Sequence, residues 1–293
     1  MSHEAAVAAA VSRHIGPRDW RVSPVPGFAG NQVFLLCSGA FGVVVKIADP
    51  GGLAAEAHVA DLVRTLGVPA PEVLAVDSDH ELGAYMIMRQ VEGSPVDGDD
   101  RVFREVGAQL RVVHETELDG FGWLGHLAPQ RLAGRASSWT ESITRGVGGL
   151  DPVVGAGLFP AEMRDAIGAA VGRHREVFDS VKRGRLVHGD IHPRHVFTDQ
   201  GRLSGIIDWG DAGAGDPLFD LGRLLRADPR AAELALQGYG DLPYDPEDLE
   251  RRMHLYAVVF IVAATVSEFA AGAPWPAWFD HQLAALHAHL KIL

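Results

Sequence analysis

The chain predicts an α+β fold of two unlike lobes, a small antiparallel-sheet N-terminal lobe and a larger, mostly helical C-terminal one. Three observations carry this expectation. β-rich runs divided by glycine and proline fill residues 20–48 and return at 69–91. A polar connector, EGSPVDGDD, follows at 92–100, and almost every long segment after it has helical apolar spacing. The expected division is residues 1–92 and 93–293.

The elements follow in order. MSHEAAVAAAVSRHIG reads as an amphipathic helix rather than a targeting segment, because an acid stands where a basic n-region would be. WRVSPV, QVFLLC and VVVKIA, separated by PGFAGN and SGAFG, predict an antiparallel meander. DPGG at 49–52 ends it, and LAAEAHVADLVRTLG has helical spacing with Gly67 as a stop. PAPEVLAV and AYMIMRQV return to strand character. Beyond the connector, helices are expected over VFREVGAQLRVVHE, residues 160–182, DPLFDLGRLLR, AAELALQGYG, residues 247–272 and HQLAALHAHLKIL. LVHGD, HVFTD and RLSGIIDW supply short strands between them.

The net charge of -12, from 38 acidic and 26 basic side chains, argues against nucleic acid as a partner, since phosphates reward a basic face. An acidic surface attracts cationic small molecules, although solubility alone explains such a charge. Cys37 is the only cysteine, so no internal disulfide is possible and a cytoplasmic location is expected. The apolar run YAVVFIVAATV at 256–266 is shorter than the roughly 20 residues of a membrane span, so a buried helix and no membrane are expected. A monomer with a ligand cleft between unlike lobes is the expected organisation.

The stretch LVHGDIHPRHVF at 186–197 crowds His188, Asp190, His192 and His195 together. A metal hydrolase, a kinase catalytic loop and an accident of composition all fit that segment alone. Asp208 ends the apolar run of GIIDWGDAG and lies 18 residues after Asp190, room for a hairpin that returns it to the same place. Phosphoryl transfer uses such a set: one carboxylate to take the attacking hydroxyl's proton, and others to hold divalent ions on the phosphates. Lys46 closes VVVK on an expected central strand, where an ammonium needs a partner, and Glu56 on the following helix can supply one.

HGDIHPRH, IIDWGDAGAGDPLFDL, VVVK and the helix with Glu56 together resemble the aminoglycoside and macrolide phosphotransferase family, which has the protein-kinase-like fold; GFGWL and Ser138-Trp139 add weaker likeness. The resemblance runs from about Gly27 to Leu225. It implies a bilobal kinase-like fold with residues 1–92 as the nucleotide-binding lobe and residues 93–293 as the catalytic and acceptor-binding lobe. It also implies ATP or GTP as co-substrate, Mg²⁺, and a small-molecule hydroxyl acceptor of antibiotic type, with resistance as the role. Asp190 takes the place of the catalytic base, His195 and Asp208 of the metal ligands, and Lys46 and Glu56 of the strand lysine and its partner. Gly27, Gly30 and Asn31 are placed over the phosphates, and Met88, Gln90 and Val91 along the nucleobase hinge. His188 and Asp216 are expected to brace the catalytic loop rather than touch substrate.

The sequence departs from the family pattern at two points. His195 puts an imidazole nitrogen where the family has an asparagine oxygen, which suits Mg²⁺ less well and tilts toward the macrolide relatives. PGFAGN lacks the G-x-G-x-x-G spacing. Asp211 and Glu268 are candidates for attracting a cationic acceptor, against the plainer reading of solvated acids; His114 reads as core, and the role of His192 is undecided. Three rivals remain: a metabolic kinase of the same fold for choline, an amino alcohol or a sugar; a degenerate kinase that binds nucleotide without catalysis; and a metal hydrolase built on His188, Asp190, His192 and His195, which leaves Lys46 and the DWG stretch unexplained.

Overall fold

A computed structural model describes residues 2–26, 31–124, 131–272 and 276–293. The chain opens with helix α1 (His3–Ile15), capped by the Ser2 hydroxyl, then strands β1 (Arg21–Val25), β2 (Gln32–Ser38) and β3 (Phe41–Ile47). Helix α2 (Pro50–Thr65) follows, started by the Asp49 side chain and a proline at its first position, and then β4 (Val73–Asp79) and β5 (Gly83–Arg89). These strands make one antiparallel sheet in the order β1-β2-β3-β5-β4.

Strand alternation sorts β3 between the two faces of that sheet. Val43, Val45 and Ile47 bury with Ala6, Val7, Ala10 and Val11 of α1. Val44 and Lys46 therefore point to the opposite face, where Leu53 and Ala57 of α2 pack on Met86 and Met88. Glu56 lies on the same buried stripe of α2. The pleat thus brings the strand lysine to a helix acid ten residues on.

The remaining chain is mostly helical, with short strands between helices. In order come β6 (Ser94–Pro95), α3 (Asp100–His114), β7 (Glu117–Leu118), β8 (Gly122–Trp123), α4 (Trp139–Gly148), α5 (Asp151–Gly155), α6 (Ala161–Arg173) and α7 (Arg175–Asp179). Then follow β9 (Gly184–Val187), β10 (Val196–Asp199), β11 (Arg202–Ile206), β12 (Gly213–Gly215), α8 (Leu218–Ala227), α9 (Pro229–Tyr239), α10 (Pro246–Ala270) and α11 (Pro276–Leu290). The segment expected as one helix over 160–182 is two, broken at His174. α4 and α5 were not expected, although Trp139, Ile143 and Val147 recur at helical spacing in α4; the glycines of RGVGGL that separate the two hide them as helices.

Helix α10 is the central beam of this part. It runs 25 residues, close to the helix expected over 247–272 and well beyond the apolar run at its middle, and by length and composition alone it is long enough to cross a membrane. Here it serves as core: Leu255, Tyr256, Ala257, Val258 and Ile261 are fully enclosed, and α4, α6, α8 and α11 pack around it. Small sheets carry the histidine-rich stretch. β9 ends at Val187, β10 and β11 form a hairpin, and β12 pairs back onto β9, so His188–His195 and Ile207–Asp211 meet at one edge.

Candidate active site

The site begins with the lysine that the pleat placed. Lys46 Nζ bonds Glu56 Oε2 at 2.7 Å and Asp208 Oδ1 at 2.8 Å, so one ammonium ties the sheet, α2 and the segment after β11 together. Burial works against its charge, yet the carboxylates of Glu56 and Asp208 outweigh it and raise its pKa above the ordinary lysine value. Burial likewise opposes the Asp208 charge, and Lys46 beside it holds that carboxyl below the usual range. Burial pushes the Glu56 carboxyl up. Gly210 leaves room for the pair: a Cβ there would lie 3.0 Å from Glu56 Oε2 and 3.2 Å from Lys46 Nζ.

Asp208 sits at φ 63° and ψ 65°, a left-handed conformation that few non-glycine residues adopt. Its neighbours fix it there. The Ile207 N–H donates to the His195 carbonyl, and the Trp209 indole N–H to the Ile206 carbonyl. The turn swings the carboxylate back from its strand to Lys46.

On the other side, the loop of Asp190 is held from beneath. The backbone N–H groups of His188 and Gly189 donate to Asp220 at 2.7 and 2.9 Å, and His114 bonds the same carboxylate at 3.0 Å. Gly189 adopts φ 85°, and a Cβ there would fall 2.0 Å from the Asp211 carbonyl oxygen; only glycine lets the two loops approach.

Ring tautomers follow from the backbone partners. The Asp190 N–H donates to His188 Nδ1, so His188 carries its proton on Nε2 and donates to the Ile207 carbonyl at 2.9 Å. His195 Nδ1 lies 2.9 Å from the Asp190 carbonyl, which only accepts, so Nδ1 holds the proton and the Nε2 lone pair is free. That lone pair faces Asp208 Oδ2 at 3.5 Å. Burial lowers the His195 pKa despite the nearby acids, which keeps the ring neutral.

The Asp190 carboxylate has two unlike oxygens. Oδ1 accepts from Arg223 Nε at 2.8 Å, while Oδ2 lies 3.6 Å from His195 Nδ1 and 3.7 Å from His192 Nε2. His192 is buried, and burial, with His195 and Arg223 adding to it, pushes its pKa down to about 2.

Two arrangements for a cation can be tested against these donors. Asp208 Oδ2 and His195 Nε2, 3.5 Å apart with a free lone pair, come near the roughly 3 Å between neighbouring ligands of an octahedral ion with bonds of about 2.1 Å. They fit a shared divalent ion. Asp190, His192 and His195 also have ligand atoms within 4.8 Å of one another, as a hydrolase would want. There the tautomers oppose it: His192 Nδ1 accepts the Arg194 N–H, leaving a protonated Nε2 toward Asp190.

The other expected residues fall as follows. Asp216 does not touch the loop of Asp190: its carboxylate takes the Tyr256 hydroxyl at 2.7 Å and the Leu218 N–H at 2.9 Å, and the bracing bonds come from Asp220, one helical turn later. Met88 is buried under α2. The Gln90 N–H is spent on the Gly42 carbonyl, so that residue has no backbone donor left for a nucleobase; among the described residues none engages the N–H of Val91. Asn31 is exposed ahead of β2, and Gly27 and Gly30 lie outside the described residues. Asp211 stands exposed beside Asp208, where crowding at the cleft and the charges of Asp190 and Asp208 raise its pKa. Glu268, on α10, makes no hydrogen bond or ion pair to the cleft among the described residues, and burial raises its pKa. The residues that the motifs did not reveal are Arg223 and Arg226 on α8, whose only trace in the sequence is a pair of arginines in a helix otherwise rich in leucine.

Residues 21–256 match the phosphotransferase enzyme family. The chain belongs to that family. Among its curated relatives, hygromycin-B 4-O-kinase of Escherichia coli is 24% identical over 205 residues, 66% of this chain and 58% of that one. Viomycin phosphotransferase of Streptomyces vinaceus is 28% identical over 169 residues, 54% and 56% of the two chains. The matches therefore span less than two thirds of either relative. Of solved structures, a thermostable aminoglycoside phosphotransferase APH(4)-Ia in complex with ADP and hygromycin B superposes with TM-score 0.71 at 19% identity, over 98% of both chains. A putative fructosamine-3-kinase from Thermobifida fusca gives TM-score 0.71 at 18% identity, over 97% and 98%. Identities this low speak for the fold, which is the protein-kinase-like one.

Proposed function

We propose that this member of the phosphotransferase family is a small-molecule kinase, transferring the γ-phosphoryl group of ATP or GTP to a hydroxyl of an antibiotic-like acceptor. The observation that carries the reading is one unbroken chain of contacts. It runs from Lys46 to Asp208 at 2.8 Å, from Asp208 to His195 at 3.5 Å, and from His195 to the Asp190 carbonyl at 2.9 Å. In this reading charge for the phosphates, a cation seat and a base lie side by side, as phosphoryl transfer needs.

In this reading Asp190 Oδ2 receives the acceptor hydroxyl's proton, since Oδ1 is engaged by Arg223. The acceptor oxygen bonds to the γ-phosphorus as the bond to the β-bridging oxygen breaks. Lys46 steadies the phosphates, with Glu56 keeping it charged and aimed. Asp208 and His195 would hold Mg²⁺, which supplies neutralisation of the phosphate oxygens. The Val91 backbone faces the nucleobase, residues 1–92 form the nucleotide lobe and 93–293 the acceptor lobe. The protein acts as a cytoplasmic monomer, with antibiotic resistance as its role.

The hygromycin and viomycin kinases favour an antibiotic acceptor, and His195 favours a macrolide over an aminoglycoside. The equal likeness to a fructosamine-kinase fold keeps a metabolic acceptor as the second reading. Asp190→Ala tests the chemistry: turnover falls by about a thousandfold or more, while nucleotide affinity by calorimetry stays within about twofold. Equal loss of both would assign Asp190 a structural role instead.

A further inference from the structure

The acceptor side of Asp190 is lined by positive charge, an unexpected neighbour for a cationic drug. Arg223 donates from Nε to Asp190 Oδ1 at 2.8 Å, its side chain is 12% exposed, and its guanidinium lies 4.1 Å from the Phe260 ring centre. Stacked and paired, it is held in place. Its two Nη groups make no hydrogen bond among the described residues.

Arg226 stands three residues on, which places it on the same face of α8, about 5–6 Å away at Cβ. Among the described residues its single bond is to Gln282 at 3.3 Å, its Nε is buried without a partner, and no carboxylate pairs with it. His254 and His289 form a neutral pair nearby, Nδ1 to Nδ1 at 2.7 Å, so they add no compensating negative charge. Of the acids of α10, Asp248 pairs with Arg251 and Arg252, and among the described residues none of Glu247, Glu250 and Glu268 bonds either arginine.

We propose that Arg223 and Arg226 select an acceptor that carries an anionic group, a carboxylate or phosphate, close to the hydroxyl it offers to Asp190. This inference rests on the kinase reading and names its substrate class, favouring within it the metabolic acceptor over a cationic antibiotic. One guanidinium paired with a single carboxylate, beside a second that has none among the described residues, leaves an unmet demand for negative charge, and an oxyanion that accepts from the free Nη edge of Arg223 meets it in bidentate fashion. A polycation would bring an ammonium against both. The acidic net charge of the chain gives no guidance here, because the charge that decides is local.

A matched set of polyols tests this: gluconate, sorbitol and glucamine share a six-carbon hydroxylated chain and differ at one end, which is anionic, neutral or cationic. Their binding to the full chain loaded with Mg²⁺ and AMP-PNP is measured by ligand-observed NMR. Gluconate should bind at millimolar concentration and about tenfold or more tighter than glucamine, with sorbitol between. In Arg226→Gln, which leaves Asp190 its partner, the gap should close to about twofold. Glucamine binding as well as gluconate, or no binding of gluconate, overturns the proposal, as does a gap unchanged in Arg226→Gln. AMP-PNP affinity measured in the same samples separates the two failures: nucleotide bound without the charge order defeats only the acceptor class, whereas no nucleotide binding defeats the kinase reading.

Discussion

On the sheet side of the cleft, charges meet opposite partners: Lys46 lies between Glu56 and Asp208, each within 2.8 Å. On the α8 side, Arg223 takes the carboxylate of Asp190, while Arg226 three residues on bonds Gln282 and, among the described residues, no acid. The difference separates a site complete in itself from one built to be completed. A lysine flanked by two acids is stable before any ligand arrives. An arginine pair with one acid waits for an anion.

The largest way to break the balanced side is to remove its centre. Lys46→Met leaves Glu56 buried without its cation and should cost about 3–5 kcal/mol in chemical denaturation. Loss of nucleotide affinity should accompany it, whereas the α8 side keeps its geometry. A stable variant with unaltered nucleotide binding would show that the lysine is ornamental.

The loop beneath Asp190 is the next test. Asp220 accepts from two backbone N–H groups and His114, so Asp220→Asn should cost about 2–3 kcal/mol, read by urea denaturation. It should also lower turnover without changing nucleotide affinity. Gly210→Ala is smaller: the added methyl meets Glu56 and Lys46 at 3.0 and 3.2 Å, and about 1–2 kcal/mol of overpacking is expected from thermal denaturation.

The smallest effect sharpens the contrast between two acids four residues apart. Burial opposes the Asp220 charge, but His114 and the His188 backbone outweigh it and lower its pKa. Burial raises that of Asp216, with the Tyr256 hydroxyl and Leu218 N–H offsetting only part. The signs of linkage are therefore opposite. Stability from Asp220 is present above the unfolded carboxylate pKa of about 3.9 and is lost as pH falls through its folded pKa. Stability from Asp216 is present below about 3.9 and is lost as pH rises through its own. Asp216→Asn should flatten the decline on the rising side, and Asp220→Asn the acid limb, in denaturation series across pH. Identical pH profiles for the two variants would contradict the assignment.

Much of the sheet side was legible because its chemistry depends on short-range rules. Strand alternation turned Lys46 away from α1, and the helix stripe turned Glu56 toward it. The Asp190 and Asp208 loops were legible as motifs, and their convergence needed only a hairpin. Asp216 and Asp220 were harder: one turn apart on the same amphipathic stretch, they differ only in which partner lies beneath, and that partner, His114, comes from 106 residues earlier. Arg223 was not legible at all. Its meaning lies in the 33 residues that separate it from Asp190, a contact set by how α8 lies against the loop. The length of α10 was legible within two residues at its C-terminal end, because helical spacing continues into its polar ends beyond the apolar run.

The most direct test of the central claim is phosphorus NMR of the full chain with Mg²⁺ and ATP or GTP, offered a panel of aminoglycosides, macrolides and small hydroxylated metabolites. A new phosphomonoester signal on one acceptor, growing as the γ-phosphate signal declines and absent with Asp190→Ala, is the predicted result. Nucleotide bound and left intact with every acceptor, or γ-phosphate released only as inorganic phosphate, would contradict phosphoryl transfer at Asp190.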